Sequence, residues 1–367
     1  MRILVGILSF GLILLMLAEF FVIFLLPRRV KREPRIARQF IRALWRPWRA
    51  GAARMPRTAA DTVLGIFGPL GLLVILAVLS SGIVLGFAGL HWANHSNLDG
   101  PGSIGFGDDL YFSTGSFLSA STPMSASNAF ADVLEIAEAA CGFAVLFIAI
   151  GYLPALFQAF SRRETAISQL DPRAGSPPTA GALLVRSSER GGWRELDTYL
   201  HEWETWTAEL METHLSYPII GYFRSQHINQ NWLAALTAVV DTCVFTLAYA
   251  PEEESSDGAQ FTYAIGRHAL ADLAYTFRAR VSADTPDRLP PEDLAQLRSQ
   301  LEGSGLRLAE NSGAEERLRE LRKSYEKYVI AISRQLALPL PSWLPPEETI
   351  ENWRLASARR QPRKPLT

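Results

Sequence analysis

The strongest constraint on this chain is a stretch of 104 residues, 58–161, that contains no lysine or arginine. It follows a segment, 28–57, that carries eleven basic residues. Two long apolar runs, 62–92 and 133–160, occupy the two ends of the stretch. A helix of about 20 apolar residues crosses a hydrocarbon core of about 30 Å. The pattern therefore predicts two membrane crossings joined by a loop.

A third apolar run, 3–26, holds a single charged residue, Glu19. It is too long for the apolar part of a secretory signal peptide, and no small-residue cleavage site follows it. The basic sequence Pro27-Arg28-Arg29 comes directly after the run instead. We therefore expect residues 1–27 to form an N-terminal transmembrane helix.

The orientation follows from the basic segment 28–57, because short loops rich in lysine and arginine stay on the cytoplasmic side of a membrane. The N-terminus is then outside, and the segment after Arg162 and Arg163 is cytoplasmic. Within 28–57, arginines alternate with aliphatic and aromatic residues at steps of three or four. This pattern predicts a basic amphipathic helix that lies on the anionic lipids of the inner leaflet.

Residues 164–367 have the pattern of a helical cytosolic domain, and Gly and Pro separate its predicted helices. These helices are expected at 193–215, 219–250, 259–281, 291–302, 314–337 and 346–358. Residues 232–250 form an alternative fourth crossing, since they carry only one charge, Asp241. Their threonines and alanines and the absence of a flanking basic anchor favour a buried helix of a soluble domain. The apolar stripe of helix 314–337 predicts either a core face or a coiled coil between subunits.

The loop between the last two crossings carries only negative formal charges, and it attracts cations. We expect Asp108 and Asp109 to cap a short helix, 109–118, that is followed by small residues. Irregular backbone at membrane depth is tolerated only where protein buries it or where it lines a wet cavity. The segment 108–128 is therefore predicted to be a re-entrant pore loop within a pore domain, 58–163.

The sequence resembles the bacterial potassium channel family of the two-transmembrane pore-loop type, with an extra N-terminal helix and a helical cytosolic domain. Three segments carry the resemblance: LYFSTGSF (110–117), GYLPALFQAFSRRE (151–164) and SYPIIGYFRSQHINQNWLAAL (216–236). The resemblance implies an all-α membrane protein with three transmembrane helices. It also implies a homotetramer that conducts monovalent cations, potassium or sodium.

The predicted filter position departs from the family pattern T-x-G-[YFL]-G-D. Here the chain has Ser119-Ala120-Ser121-Thr122-Pro123-Met124. A potassium filter aligns backbone carbonyls in rings, and its glycines permit dihedral angles that are costly for other residues. Ser121 and Pro123 stand where the family has those glycines, so potassium selectivity does not follow from the resemblance.

The segment 103–108, Ser-Ile-Gly-Phe-Gly-Asp, is an alternative constriction because it matches the filter pattern letter for letter. A filter follows a pore helix, however, and residues 91–102 are rich in helix-breaking asparagine, glycine and proline. The choice of 103–108 also leaves about 22 residues before the last crossing. The position 119–124 is therefore preferred.

Five acids are predicted to surround the outer mouth of the pore, where they attract cations or clamp the pore helix. They are Asp108, Asp109, Asp132, Glu135 and Glu138. Gly142 lies where the resemblance places the hinge glycine of the inner helix. A packing glycine between transmembrane helices is the alternative.

The sequence gives little support for an enzyme or a nucleic-acid-binding protein. Cys141 and Cys243 are too far apart for a metal-ligand spacing, and the histidines of residues 164–367 show no metal-binding motif. We therefore expect no catalytic, metal or cofactor site and no nucleic-acid partner. The expected function is passive cation conduction in the inner (plasma) membrane by a multi-pass protein. The alternative is a channel-derived membrane sensor or scaffold that no longer conducts.

Overall fold

A computed structural model describes residues 1–26, 36–100, 105–227, 229–309 and 313–346. Within these residues the chain forms eleven α-helices and one sheet of two very short strands. The predicted all-α fold class is therefore confirmed for the described part of the chain. The chain divides into two compact units, Met1–Gln158 and Ala159–Thr367.

The first unit contains four helices and most of a fifth. They are α1 (Arg2–Phe20, extended by a π-helical turn, Phe21–Leu25), α2 (Ile36–Ala52), α3 (Arg57–Ala93), α4 (Phe106–Leu118) and α5 (Ala129–Ala174). Strands β1 (Leu98–Asp99) and β2 (Ser125–Ala126) lie on either side of α4 in the sequence. Helix α5 runs on into the second unit, fourteen residues beyond the predicted end of the last crossing at 160.

The second unit is built from the end of α5 and six further helices. They are α6 (Ala180–Ser188), α7 (Gly192–Ser216), α8 (Trp232–Tyr249), α9 (Asp257–Thr276), α10 (Pro291–Gly303) and α11 (Ala314–Leu336). A 3₁₀-helix, Pro218–Tyr222, follows α7.

Four helical segments among the described residues are long and apolar enough to cross a membrane. Three of them, Arg2–Leu25, Thr58–Ala93 and Ala129–Ala174, overlap the predicted crossings. In each of the three, less than half of the most apolar stretch is buried inside the structure. The fourth, Trp232–Tyr249, is 94% buried inside the structure. A helix that is covered by protein on all sides exposes no face to lipid. This burial agrees with the interpretation of 232–250 as a buried helix.

Helices α1 and α3 pack antiparallel, with small residues at their contact. A Cβ added at Gly86 would lie 2.5 Å from Cγ1 of Ile13 and 3.1 Å from the carbonyl oxygen of Ser9. A Cβ at Gly82 would lie 2.6 Å from the sulfur of Met16. Close backbone approach through small residues is how helices associate in lipid, where apolar burial gives little driving force. These glycines therefore allow α1 to lie directly against α3.

The basic helix α2 packs on the start of α3. The Trp45 ring is buried and meets the Phe67 ring edge-on, with 4.7 Å between centroids. The Trp48 indole N–H donates a 2.9 Å hydrogen bond to the carbonyl of Val63. The two tryptophans thus anchor α2 through its apolar face.

The core of the second unit surrounds α8, whose single acid is paired rather than exposed. Both oxygens of Asp241 accept hydrogen bonds from Arg288, at 3.2 and 2.7 Å, and the Tyr325 hydroxyl also donates to Asp241. A buried charge is stable only when it is paired and hydrogen-bonded in this way. Of the six residues in the predicted apolar stripe of α11, four are buried and two are half-buried, which agrees with the core interpretation. The buried four are Leu318, Tyr325, Ile332 and Leu336, and the half-buried two are Leu321 and Tyr328.

The prediction of one continuous helix near 219–250 is wrong, because a non-helical segment separates the 3₁₀-helix that ends at Tyr222 from α8. Residues 223–227 and 229–231 are not helical, and α8 begins only at Trp232. Asn231 sets this start, because its side-chain oxygen caps the N–H of Ala234 at 2.8 Å. Helix α6 has no counterpart in the prediction. The helix predicted at 346–358 lies almost entirely outside the described residues.

We expect Gly86→Leu to separate α1 from α3, because the added side chain would overlap Ile13 and the backbone of α1. Disulfide formation between Met16→Cys and Gly82→Cys, in a chain with Cys141 and Cys243 replaced by alanine, measures the contact. The substitution should reduce cross-linking several-fold. Gly11→Leu is the matched control, since a Cβ at Gly11 meets no atom within 4 Å. Equal cross-linking in the two variants would contradict the proposed packing.

Candidate functional site

The candidate site begins at the N-terminus of α4, which an acidic side chain caps. The Asp108 carboxylate accepts a 2.8 Å hydrogen bond from the backbone N–H of Gly105. Asp108 and Asp109 both lie in the first turn, where negative charge stabilises a helix. The helix starts at Phe106, three residues earlier than predicted. The predicted capping role of Asp108 therefore agrees with the geometry.

The alternative constriction 103–108 overlaps this helix start. Gly105 is the N-cap residue, and Phe106, Gly107 and Asp108 form the first helical turn. Residues 103 and 104 lie outside the described residues. A filter needs an extended backbone whose carbonyls point at one axis, and the helical part of this segment does not have that form.

At its other end, α4 closes with a left-handed residue. Ser119 has φ 54°, and the N–H of Ala120 donates a 2.8 Å hydrogen bond to the carbonyl of Gly115. This turn satisfies carbonyls at the end of the helix and reverses the chain. The predicted filter position thus starts in a tight turn at the carboxyl end of α4.

The rest of the filter position folds back onto α4 and is then tied to the loop before it. A Cβ at Gly115 would overlap the methyl group of Thr122, whose hydroxyl donates a 3.0 Å hydrogen bond to the carbonyl of Met124. A Cβ at Gly100 would lie 2.7 Å from Cγ of Met124. In the single chain Ser119, Ala120, Ser121 and Pro123 are exposed, and Thr122 and Met124 are half-buried.

Strands β1 and β2 close this loop. They pair antiparallel, with Leu98 opposite Ala126 and Asp99 opposite Ser125. The N–H of Ser127 adds a 3.0 Å hydrogen bond to the carbonyl of Asn97. The segments before and after α4 are therefore joined, and residues 119–124 are held at both ends.

Gly142 lies where α5 meets the last turn of α4. A Cβ at this position would overlap the backbone carbonyl oxygen of Phe117. Helix α5 continues through Gly142 without a break. The geometry supports the packing interpretation of Gly142 directly, and the predicted hinge role stays a prediction.

The five acids that are predicted to surround the outer mouth of the pore occupy different environments. Asp132 is exposed, and Asp108 and Glu135 are half-buried. Asp109 and Glu138 have no exposed surface. Asp109 accepts a 2.7 Å hydrogen bond from the Ser96 hydroxyl, which joins the start of α4 to the chain after α3. Three of the five acids therefore reach the surface of a single chain.

Glu138 is buried where α5 packs against α4. Its carboxyl group is adjacent to the Ser113 hydroxyl of α4, without a hydrogen bond of ordinary geometry between them. Isolated charge is very costly at such a buried position. This burial against α4 favours the clamp of the two roles considered for Glu138, and both roles stay predictions.

His91 is a buried polar residue of this region that sequence reasoning missed. Its ring meets the Phe112 ring edge-on, with 5.3 Å between centroids, and it has no exposed surface. The signal that points to it is a histidine at the end of the apolar run of α3. His91 is therefore buried in the first unit, as Asp109 and Glu138 are.

Among the described residues, no group of three or more histidine, cysteine, aspartate or glutamate side chains is arranged to hold a metal ion. In the comparisons with known proteins, no family model, curated protein or solved structure matches the chain.

We expect Gly142→Ala to destabilise the first unit by about 1–3 kcal/mol, because its methyl group would push α5 away from the Phe117 carbonyl. The measurement is the thermal unfolding midpoint of the purified protein in detergent, which should fall by several degrees. Gly151→Ala is the control on the same helix, since a Cβ there meets no atom within 4 Å. An unchanged midpoint for Gly142→Ala would show that this contact does not hold α4.

Proposed function

We propose that this chain is one subunit of a pore-loop cation channel of the potassium-channel type with an altered filter. The observation that carries the proposal is the helix α4 with its returning segment 119–124. This element lies in the sequence between two helices long enough to cross a membrane, α3 and α5. A short helix followed by an anchored, non-helical segment is the arrangement that a pore loop needs.

The charges of the loop favour a cation. The carbonyl end of α4 carries the negative end of the helix dipole, and it faces the start of the segment 119–124. All formal charges between residues 58 and 161 are negative. The Ser119 and Ser121 hydroxyls, together with backbone carbonyls, offer oxygen ligands. Residues 58–161 offer an anion no lysine or arginine. The resemblance to potassium channels implies that the permeant ions are monovalent cations, potassium or sodium.

One copy of the loop does not enclose a passage, because the segment 119–124 of a single chain is open on one side. Four loops around an axis form the pore in channels of this type. The proposed assembly is therefore a homotetramer in the inner (plasma) membrane. Three crossings per chain, with the N-terminus outside, place the second unit in the cytoplasm. The basic helix α2 then lies at the anionic inner leaflet.

A second function is favoured by the backbone of the filter position. Ser119 forms a left-handed turn, and Thr122 lies back against Gly115 instead of extending along an axis. Ser121 and Pro123 lack the freedom that glycines give a filter. A membrane sensor or scaffold, derived from a channel but closed to ions, accounts for these features. In neither function is the chain an enzyme.

Ion flux distinguishes the two functions. Purified protein in liposomes should dissipate a potassium or sodium gradient faster than protein-free liposomes do. In Ser121→Gly/Pro123→Gly, the ratio of potassium to sodium flux should change, because glycines at these positions allow carbonyls to turn toward the ion. Ser127→Gly is the matched control, since it lies in the same loop outside residues 119–124.

Liposomes that stay tight with the natural chain would favour the sensor or scaffold. Flux with an unchanged ion ratio in the double glycine variant would place the constriction elsewhere in the chain.

A further inference from the structure

Helix α5 extends beyond the predicted membrane crossing, and this extension carries a buried arginine. Arg163 is only 4% exposed, whereas the neighbouring Arg162 is exposed. Its Nη1 donates a 3.0 Å hydrogen bond to the carbonyl of Ile220, and its Nη2 donates a 3.0 Å hydrogen bond to the carbonyl of Phe223. One guanidinium group thus joins α5 to the middle of the 3₁₀-helix after α7 and to the residue that follows this helix.

Further contacts fix the same arginine. Its Nε donates to the Glu164 carboxylate at 2.9 Å, and its charge lies 5.0 Å from the centre of the Phe160 ring. The Trp206 indole N–H of α7 donates to the backbone carbonyl of Arg163 at 3.4 Å. A planar guanidinium with several fixed partners holds its neighbours in one geometry, which the flexible ammonium of lysine does not do.

His214 supplies the remaining partner of this arginine. Its Nδ1 lies 2.8 Å from the carbonyl of Leu210, so Nδ1 carries the proton and donates it. The unprotonated Nε2 then accepts from Nη1 of Arg163 at 3.4 Å. Burial, and next the positive charge of Arg163, lower the pKa of His214 well below its usual value of 6.5. The imidazole is therefore neutral at neutral pH.

The surroundings of His214 determine what protonation would do. The Trp232 ring of α8 covers one side, 4.9 Å between centroids, and the Thr213 hydroxyl lies beside Nδ1. Among the described residues, the charged group that acts on its pKa is Arg163, whose guanidinium is itself paired with Glu164. A proton on Nε2 would therefore face the positive charge of Arg163 at hydrogen-bond distance.

We propose that Arg163 is a positioning residue through which the helical domain holds the cytoplasmic end of the last crossing, with neutral His214 as its acceptor. The proposal rests on the proposed function, in which α5 is the crossing that follows the pore loop. Helix α5 does not shift or rotate at this level without breaking the hydrogen bonds to Ile220 and Phe223. Removal of these bonds loosens α5 from the turn after α7, although the Trp206 bond to the Arg163 backbone remains.

A fluorescent label on α5 tests the proposal without ion conduction. The label is bimane attached to Ile150→Cys, an exposed position, in a full-length chain with Cys141 and Cys243 replaced by alanine. We expect Arg163→Met to shift the bimane emission, and Arg162→Met, the exposed neighbour, to leave it unchanged. Arg163→Lys should give a smaller shift, since one ammonium does not replace the two forked donors.

The bimane emission at low pH provides a second readout, which a purely structural role of Arg163 would not change. As the pH falls through the lowered pKa of His214, the imidazolium should repel Arg163 and produce the same bimane shift. His214→Gln should remove this acid transition, because a neutral amide keeps an acceptor without titrating. His201→Gln, an exposed histidine on the same helix α7, should retain the transition.

Flux through liposomes completes the experiment. Arg163→Met should change the flux of the natural chain by about 5-fold or more, as expected for a broken coupling between two sites. A bimane shift in liposomes that conduct no ions would refute the channel but support the role of Arg163. Conducting liposomes in which neither flux nor bimane responds to Arg163→Met would refute the role of Arg163. If Arg163→Met does not fold, Arg163→Lys and His214→Gln decide the matter in the same way.

Discussion

The contact between the Phe117 carbonyl and Gly142 is the constraint on which the candidate site depends. A pore loop must hold the carboxyl end of a short helix in a place where water does not satisfy its backbone. Here α5 approaches that end so closely that only a glycine fits. The left-handed Ser119 and the β1–β2 pairing then determine where the chain goes next. Together, these features fix residues 119–124 relative to α4.

The two units are stabilised by different physical means. In the first unit, helices meet through small residues such as Gly86 and Gly142, which allow the close backbone contact typical of helices in lipid. In the second unit, an apolar helix, α8, is covered on all sides and carries a paired acid, Asp241. The pairing with Arg288 explains why a charge is tolerated there. This difference agrees with a membrane part and a soluble part in one chain.

The apolar runs and the charge gap predict the long helices well, because composition and period are local properties of the sequence. The start of α4 was also close to its predicted position, since an acid that caps a helix lies within the first turn. The contacts between distant residues could not be predicted. The Asp241–Arg288 pair, the burial of His91 and the partners of Arg163 depend on which segments meet in the folded chain.

The errors have a similar origin. Residues 219–250 have enough helix-forming residues for one helix, but the tertiary contacts of Arg224 and Asn231 with residues 336–339 hold the segment before α8 in a non-helical form. The role of Gly142 illustrates the same limit. A glycine in an apolar helix is compatible with a hinge or a close contact, and only the position of Phe117 favours the contact.

Unitary current through single molecules, with a reactive residue placed at the predicted constriction, tests the central claim most directly. The protein with Ser121→Cys, in the chain that lacks Cys141 and Cys243, is recorded in a planar bilayer before and after a positively charged thiol reagent is added from the outer side. Discrete current steps that the reagent reduces or abolishes are the predicted result, because a fixed positive charge would then occupy the path of the cations. Currents that the reagent leaves unchanged, or a bilayer that shows no current at all, would contradict the account.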